Sequence, residues 1–246
     1  MTTEINTYLN SLSEDILTLS IDDRNITSLP DLTRFKNLKE LYCDFNKLTS
    51  LPNTLPQTLE ILFCSGNKLT SLPDLPQNLK ELYLTGNELS SLPTLPQTLE
   101  KLYCSDNKLT YLPNLTRLEN LVKFECCNNE LSSLPTLPQN LKSLFCFDNK
   151  LTYLPNLPEN ILNFICWDNP ICHILDSDNN SLIKVKQNIQ IVNNFRHLNY
   201  SLRSKKRFMK WLWKSREKKI MEKYHPNYLL ENLEEDTDLD EFLNNW

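Results

Sequence analysis

Three cysteines of this sequence stand two residues before an aspartate, a spacing that could pair a thiol nucleophile with an acidic helper. The pairs are Cys104 and Asp106, Cys146 and Asp148, and Cys166 and Asp168. A cysteine reacts as its thiolate, so its surroundings decide whether the thiol of such a pair is reactive. The same cysteine recurs in near-copies of one segment, LYCDFNKLTSLP at 41–52 and LFCSGNKLTSLP at 62–73, which indicates a structural repeat.

A repeat of about twenty residues accounts for most of the chain. Its core reads Leu-x-x-Leu-x-(Cys/Leu)-x-x-Asn-x-Leu, and its asparagines recur at intervals of 20 to 22 residues. This asparagine column is Asn46, Asn67, Asn87, Asn107, Asn129, Asn149 and Asn169. A first unit keeps apolar residues at Ile16, Leu19, Ile21 and Ile26 but carries Arg24 in place of asparagine. A degenerate terminal unit is typical of a cap.

This pattern resembles the leucine-rich repeat, and its Leu-Pro-x-Leu-Pro segments resemble the short repeats of bacterial effector proteins and giant-virus proteins. The resemblance implies an α/β repeat solenoid with a parallel β-sheet on its concave face and asparagine side chains that bond to backbone inside the coil. Proline fixes φ and lacks an N–H, so the convex side should be extended and polyproline-like. The segments at 33–37 and 116–120, in the two longer units, predict a helical turn instead.

The periodicity divides the chain into three parts. Residues 1–15 are an N-terminal cap, residues 16–174 form a solenoid of about eight units, and residues 175–246 form a helical C-terminal cap and tail. Apolar residues at steps of three and four predict an amphipathic helix that starts near Ser181 and covers the last repeat. They are Leu182, Val185, Ile189, Val192, Phe195, Leu198 and Leu202.

The tail has a basic segment, 203–223, followed by an acidic one, 224–246. The first carries ten Lys or Arg against two acidic residues, and the second carries seven acidic residues and no Lys or Arg. Three interpretations stay open: the segments pack on each other, contact a partner protein, or bind a membrane or nucleic acid. The positive charge of the first segment nearly cancels the negative charge of the second. This favours packing of the two segments on each other over binding of a partner protein, a membrane or a nucleic acid.

Six cysteines fall in one inward-facing column, which Ile21 and Leu84 occupy in the remaining units. The column is Cys43, Cys64, Cys104, Cys126, Cys146 and Cys166. A buried free cysteine supplies small apolar volume there, and the aspartates should face outward, so no catalytic residue is predicted. A straight column does not converge on a metal, so no metal site is predicted either. Cys127 is predicted to face outward as a reactive thiol, and Cys172 is left open.

Composition limits the remaining classes of function. The chain has 246 residues and only two glycines, Gly66 and Gly86, too few for a P-loop or a dinucleotide fingerprint. No cofactor or small-molecule substrate is predicted. The sequence shows no secretion signal and no long apolar stretch, so we expect an intracellular protein with reduced cysteines.

Aromatic residues occupy the strand position that should face solvent on the concave side. They are Tyr42, Phe63, Tyr83, Tyr103 and Phe145, with Phe147 and Trp167 nearby. Rigid aromatic side chains commonly anchor protein interfaces, so we predict that this face of a monomer binds a protein. The alternative is that the rings stack on each other and only stabilise the sheet. Charges around them have mixed sign, which does not suit the phosphate backbone of a nucleic acid.

The final segment, KIMEKYHPNYLLENLEEDTDLDEFLNNW at 219–246, resembles the C-terminal segment of leucine-rich repeat proteins of giant amoeba-infecting DNA viruses. That resemblance implies a viral protein acting in the host cytoplasm on a host protein. Two alternatives are a substrate-recruiting subunit for a host ubiquitin ligase and a structural component of the virion. Some bacterial effectors carry a ubiquitin-ligase domain with a catalytic cysteine after their repeats, but this sequence has no cysteine beyond Cys172. We therefore expect no enzyme activity.

Overall fold

Eight short strands form one parallel sheet in the computed structural model, which describes residues 2–172, residues 182–194, Arg196 and Lys205. Each strand pairs with the next one in sequence, so the sheet order is β1 to β8. The strands are β1 Thr18–Ser20, β2 Glu40–Tyr42, β3 Ile61–Phe63, β4 Glu81–Tyr83, β5 Lys101–Tyr103, β6 Lys123–Glu125, β7 Ser143–Phe145 and β8 Asn163–Ile165. The predicted fold class, a solenoid with a parallel sheet, is confirmed.

The middle residue of each strand points into the coil, and its two neighbours are partly or fully exposed in every strand except β7, where Ser143 is buried. In β5, Leu102 is fully buried while Lys101 and Tyr103 are partly exposed. Consecutive units are in register, so Leu82 lies opposite Leu102 and Tyr83 opposite Tyr103. Stacking the coils in this register joins their leucines and cysteines into one continuous apolar core.

Between residues 16 and 171, the segments that connect one strand to the next contain turns but no helix. In the common unit a single turn closes where the Leu79 N–H donates to the Pro76 carbonyl at 3.1 Å. The longer units differ from the prediction of a helical turn at 33–37 and 116–120. They hold two successive turns, because Phe35 bonds back to Leu32 and Leu38 bonds back to Phe35, and no helical run follows.

A left-handed backbone conformation recurs one position before the asparagine column. The residues are Asp23, Phe45, Gly66, Gly86, Asp106, Asn128, Asp148 and Asp168, with φ between 49° and 71°. Glycine, asparagine and aspartate are the residues that adopt this conformation most easily. Both glycines of the chain and the aspartates of the Cys-x-Asp pairs therefore have a backbone role.

Helix α1, Thr2–Asn10, covers the first coil. Its Ile5 and Leu9 are buried in the core. The Arg34 guanidinium donates a hydrogen bond to the Leu9 carbonyl at the end of the helix, and Arg24 lies over the Tyr8 ring at 4.2 Å. The arginine that replaces asparagine in the first unit thus stabilises the cap.

A second helix, α2, spans residues 182–194 and covers the last coil. Its Ile189 is 2% exposed and belongs to the continuous core. Lys186 Nζ donates to the Glu159 carbonyl at 2.7 Å, and Asn193 Nδ2 donates to the Leu154 carbonyl at 3.0 Å. The predicted C-terminal helix is therefore present over its first part.

Two compact units divide the chain, residues 1–193 and 194–246. The predictions about the basic segment 203–223 fall outside the described residues except for Lys205, and those about the acidic segment 224–246, Phe195, Leu198 and Leu202 fall outside them entirely. Among the residues that are described, no helix has the length and apolar character of a membrane span.

Candidate protein-binding face

The asparagine column fixes each coil to the one before it. All seven asparagines are between 5% and 8% exposed. Asn107 Oδ1 accepts the Leu89 N–H at 3.0 Å, and its Nδ2 donates to the carbonyls of Leu84, Cys104 and Ser105 at 3.0 to 3.2 Å. The side chain offers both donors and an acceptor, so it satisfies backbone groups of two adjacent coils at once. This ladder holds the strands at constant spacing and so sets the concave surface.

Four aromatic rings form an unbroken stack along the concave side of the sheet. Tyr42 and Phe63 lie 4.7 Å apart between ring centroids, Phe63 and Tyr83 lie 4.0 Å apart, and Tyr83 and Tyr103 lie 4.7 Å apart. The interplanar angles are 8° to 11°, so the rings are nearly parallel. The parallel register produces this stack, because it places one outward residue per strand directly over the next.

Cross-strand packing, the alternative interpretation of these aromatics, is present in the structure. The rings cover one another and are half-buried without any further element over them in the described part of the chain. All four side chains nevertheless remain partly exposed to solvent. Ring stacking therefore leaves part of each of these side chains exposed.

A second aromatic pair lies beside the main stack near the C-terminal end of the sheet. Phe147 and Trp167 stack at 4.1 Å, and Trp167 is 50% exposed. Phe145 is half-buried on β7. At the other end, Phe45 is 68% exposed, and its ring lies so close to Gly66 that a Cβ built there would be 2.7 Å from Phe45 Cδ1. All seven predicted aromatics are thus solvent-accessible.

Most of the carboxylates near the stack already have partners. The Tyr83 hydroxyl donates to Glu81 at 2.7 Å, and Lys101 pairs with the same carboxylate at 2.8 Å. Burial raises the pKa of the Tyr83 hydroxyl, and the Glu81 carboxylate raises it further, so the ring stays neutral. Glu81 and its two partners form a closed network on the face.

A shallow cleft of about 330 Å³ lies along the edge where the strands begin. Lys39, Thr58, Glu60, Asn78, Lys80 and Thr98 line it. Glu60 pairs with Lys80 at 2.7 Å and with Lys39 at 2.9 Å, and these contacts lower the pKa of its carboxyl to about 2. Both cations of the cleft are therefore already paired with a carboxylate of the chain itself.

Glu125 is the one charged residue in the outward column that carries the aromatic stack. It stands on β6 between Tyr103 on β5 and Phe145 on β7, its direct register partners. The side chain is half-buried, and within the described residues its carboxylate has no hydrogen bond or salt bridge. Burial raises the pKa of the Glu125 carboxyl, and Lys123 on the same strand lowers it by a smaller amount. The sequence pattern placed Glu125 in the column but gave no sign that it lacks a partner.

The cysteine column is buried except at Cys166, as expected of small apolar side chains that fill the core. Cys43, Cys64, Cys104, Cys126 and Cys146 are 0% exposed. Burial raises the pKa of the Cys104 thiol far above neutral, so the thiolate that a nucleophile requires is not formed there. In the described residues, no group of three or more His, Cys, Asp and Glu could hold a metal ion.

Cys127 does not face outward, and that prediction is wrong. It is 3% exposed, its N–H donates to Ser105 Oγ at 3.1 Å, and burial raises the pKa of its thiol to about 11. Ser105, which the alternation also places outside, is likewise buried. Strand β5 ends at Tyr103 and strand β6 ends at Glu125, so the regular in-and-out alternation of side chains stops there. Ser105 and Cys127 come two residues later, and their side chains lie against the neighbouring coil.

Cys166 differs from the other members of its column because no further repeat covers it. It is half-exposed, and its Sγ lies 3.9 Å from the Sγ of Cys172, which is also half-exposed. Burial and the neighbouring Cys172 raise the pKa of the Cys166 thiol to about 12. The accessible thiols of the described chain are thus at the end of the solenoid, away from the aromatic stack.

The fold is a leucine-rich repeat solenoid, and comparison with known proteins agrees. The Leucine Rich Repeat family matches residues 78–99. Among solved structures, the chain is similar to YopM from Yersinia enterocolitica WA-314, with 36% identity and a TM-score of 0.61 over 64% of this chain and 34% of that one. It is also similar to YopM from Yersinia pestis, described as a leucine-rich effector protein, with 31% identity and a TM-score of 0.53 over 62% of this chain and 49% of that one.

A third similar structure is a Shigella effector leucine-rich repeat domain. Identity is 29% and the TM-score is 0.56, over 71% of this chain and 81% of that one. The chain spans between a third and a half of the length of the two Yersinia proteins. No curated protein matches it. The repeats are therefore similar to those of bacterial effectors, and repeat domains of this class generally bind proteins.

Proposed function

We propose that this chain is a noncatalytic scaffold that binds a protein through its aromatic concave face. One observation carries the proposal: a stack of four half-buried rings runs across consecutive strands and remains partly exposed to solvent. Aromatic side chains that neighbours already hold in place lose little conformational entropy on binding. The contacting set is Tyr42, Phe63, Tyr83, Tyr103, Phe145, Phe147 and Trp167.

The absence of catalysis is part of the proposal and is supported by the cysteines. The Cys-x-Asp aspartates occupy left-handed backbone positions, and five of the six column thiols are buried. The sixth, Cys166, is half-exposed, but burial and the neighbouring Cys172 raise the pKa of its thiol to about 12, so it stays protonated. A nucleophile needs a thiolate that substrate can reach, and the described column offers none. Recruiting substrates to a ubiquitin ligase and a structural role in a virion remain alternatives, and no observation favours either of them.

The setting of this function is likewise proposed. The similarity to bacterial effector repeats supports a protein that acts on the proteins of another cell, and the likeness of 219–246 to giant-virus proteins supports a viral protein in a host cytoplasm. A monomer is proposed because helices α1 and α2 cover the two ends of the described solenoid, where an uncovered coil would offer its core to a second copy.

We expect co-purification from cell lysate after crosslinking to depend on the stack. Replacing two adjacent rings, Tyr83→Ala with Tyr103→Ala, should remove the proteins that the wild-type chain captures, because central aromatic anchors often contribute more than 2 kcal/mol each to binding. Quantitative mass spectrometry of the captured proteins measures this loss.

The matched control replaces two tyrosines of the return path, Tyr111→Ala with Tyr153→Ala. This variant should capture the same proteins as wild type, because those residues lie on segments that connect the strands. Identical protein lists for all three chains, or no protein captured by wild type, would contradict binding through the concave face.

A further inference from the structure

We propose that the concave face selects a partner with an exposed arginine, which inserts between Tyr103 and Phe145 and pairs with Glu125. This inference rests on the proposed function and adds the chemistry that the partner must present. It starts from an interruption in the aromatic column. The stack ends at Tyr103, the next position is Glu125, and an aromatic returns at Phe145.

The strand register implies a gap of suitable size at this interruption. Tyr103 and Phe145 are two strands apart, which is roughly 10 Å at the usual strand spacing. A flat cation midway between them lies about 5 Å from each ring, inside the ~6 Å range of cation–π attraction. A glutamate side chain is shorter than a tyrosine side chain, so its carboxylate forms the floor of the gap.

The charge at that floor is uncompensated. Glu81 on the same face has a tyrosine hydroxyl and Lys101 as partners, whereas the Glu125 carboxylate has neither a hydrogen bond nor a salt bridge in the described chain. Half-burial has already removed part of its hydration, which is consistent with its raised pKa. A cationic ligand would therefore gain a charge-assisted hydrogen bond at little additional cost in desolvation.

Arginine fits this position better than lysine. Its planar guanidinium can stack on both rings and donate two parallel hydrogen bonds to one carboxylate, whereas an ammonium group acts as a point charge. Lys123 on the same strand repels a cation, whereas Lys101 on the preceding strand is paired with Glu81. A ligand cation must therefore reach the gap itself and not only the general surface. Lys123 would disfavour a polybasic ligand without a well-placed arginine.

The test selects a random dodecapeptide library on the wild-type chain of 246 residues and on Glu125→Gln, which removes the charge and keeps the shape. Peptides enriched on wild type should contain arginine, and peptides enriched on Glu125→Gln should not. Replacing that arginine by neutral citrulline should weaken binding to wild type roughly 10- to 100-fold. The same replacement should have little effect on binding to Glu125→Gln.

Glu100→Gln is the matched control, because Glu100 is exposed and lies outside the aromatic column. It should bind the arginine peptide as wild type does, and thermal unfolding should show that both variants are folded. Equal binding of the arginine and citrulline peptides to wild type would overturn the inference, as would a wild-type selection without enrichment. If peptides bind without arginine but still require Tyr83 and Tyr103, the proposed function survives and only the arginine site fails.

Discussion

Replacing Asn107 by leucine is expected to destabilise the solenoid by about 3 kcal/mol, because buried backbone groups in two coils lose their partner. The Leu89 N–H loses the acceptor that lies 3.0 Å away, and the carbonyls of Leu84, Cys104 and Ser105 lose a donor. Leucine has a similar volume, so the cost arises from unsatisfied polar groups and not from a cavity. The loss is a large part of the ~5 to 15 kcal/mol that stabilises a typical domain.

Urea unfolding of the two chains measures this difference. The control is Asn120→Leu, which removes one hydrogen bond, from Nδ2 to the Gln97 carbonyl, at an exposed site of the same repeat. Its expected effect is within about 0.5 kcal/mol. A loss below about 1 kcal/mol for Asn107→Leu would contradict the role of the asparagine ladder.

Replacing Ile189 by aspartate is expected to release helix α2 from the last coil. Ile189 is 2% exposed within the core, so a carboxylate there loses both apolar burial and its own hydration, a cost of about 4 kcal/mol. Ile189 is the most deeply buried of the α2 residues that pack on the core, which also include Leu182, Val185 and Val192 at partly buried positions. The uncovered coil should then exchange its amide hydrogens faster.

Hydrogen exchange over residues 151–171 and thermal unfolding measure this release. Ile191→Asp introduces the same charge two residues away in the same helix, at a side chain that is 59% exposed. It should leave both measurements near the wild-type values. If Ile189→Asp and Ile191→Asp behave alike, α2 is not the cover of the apolar core that its burial indicates.

The fold could be predicted from the sequence because the same pattern of apolar residues and asparagine recurs in many repeats. A single Leu-x-x-Leu-x-Cys segment is ambiguous, whereas seven aligned asparagines fix the period and hence the stack of strands. The inward cysteine column follows from the same alignment, since leucine and isoleucine share that position. The repeat length and the burial of the inward residues both follow from this recurring pattern, so the sequence predicts them well.

The exceptions lie where the regular strand stops. Cys127 and Ser105 follow the strand, and the backbone turn decides their direction, which a two-residue alternation cannot represent. Cys166 is in register but lacks a following repeat to cover it. Whether Glu125 is paired depends on which carboxylates the neighbouring cations contact. Side-chain conformations decide this, and a sequence pattern does not specify them.

Hydroxyl-radical footprinting of the complex with a captured protein tests the concave-face proposal most directly. It maps contact on the wild-type chain and so avoids any loss of stability caused by substitution. We expect the oxidation rates of Tyr83, Tyr103 and Trp167 to fall in the complex, while that of Tyr111, which is 60% exposed on the return path, stays unchanged. Protection of Tyr111 with no change at the three concave rings would contradict the proposal.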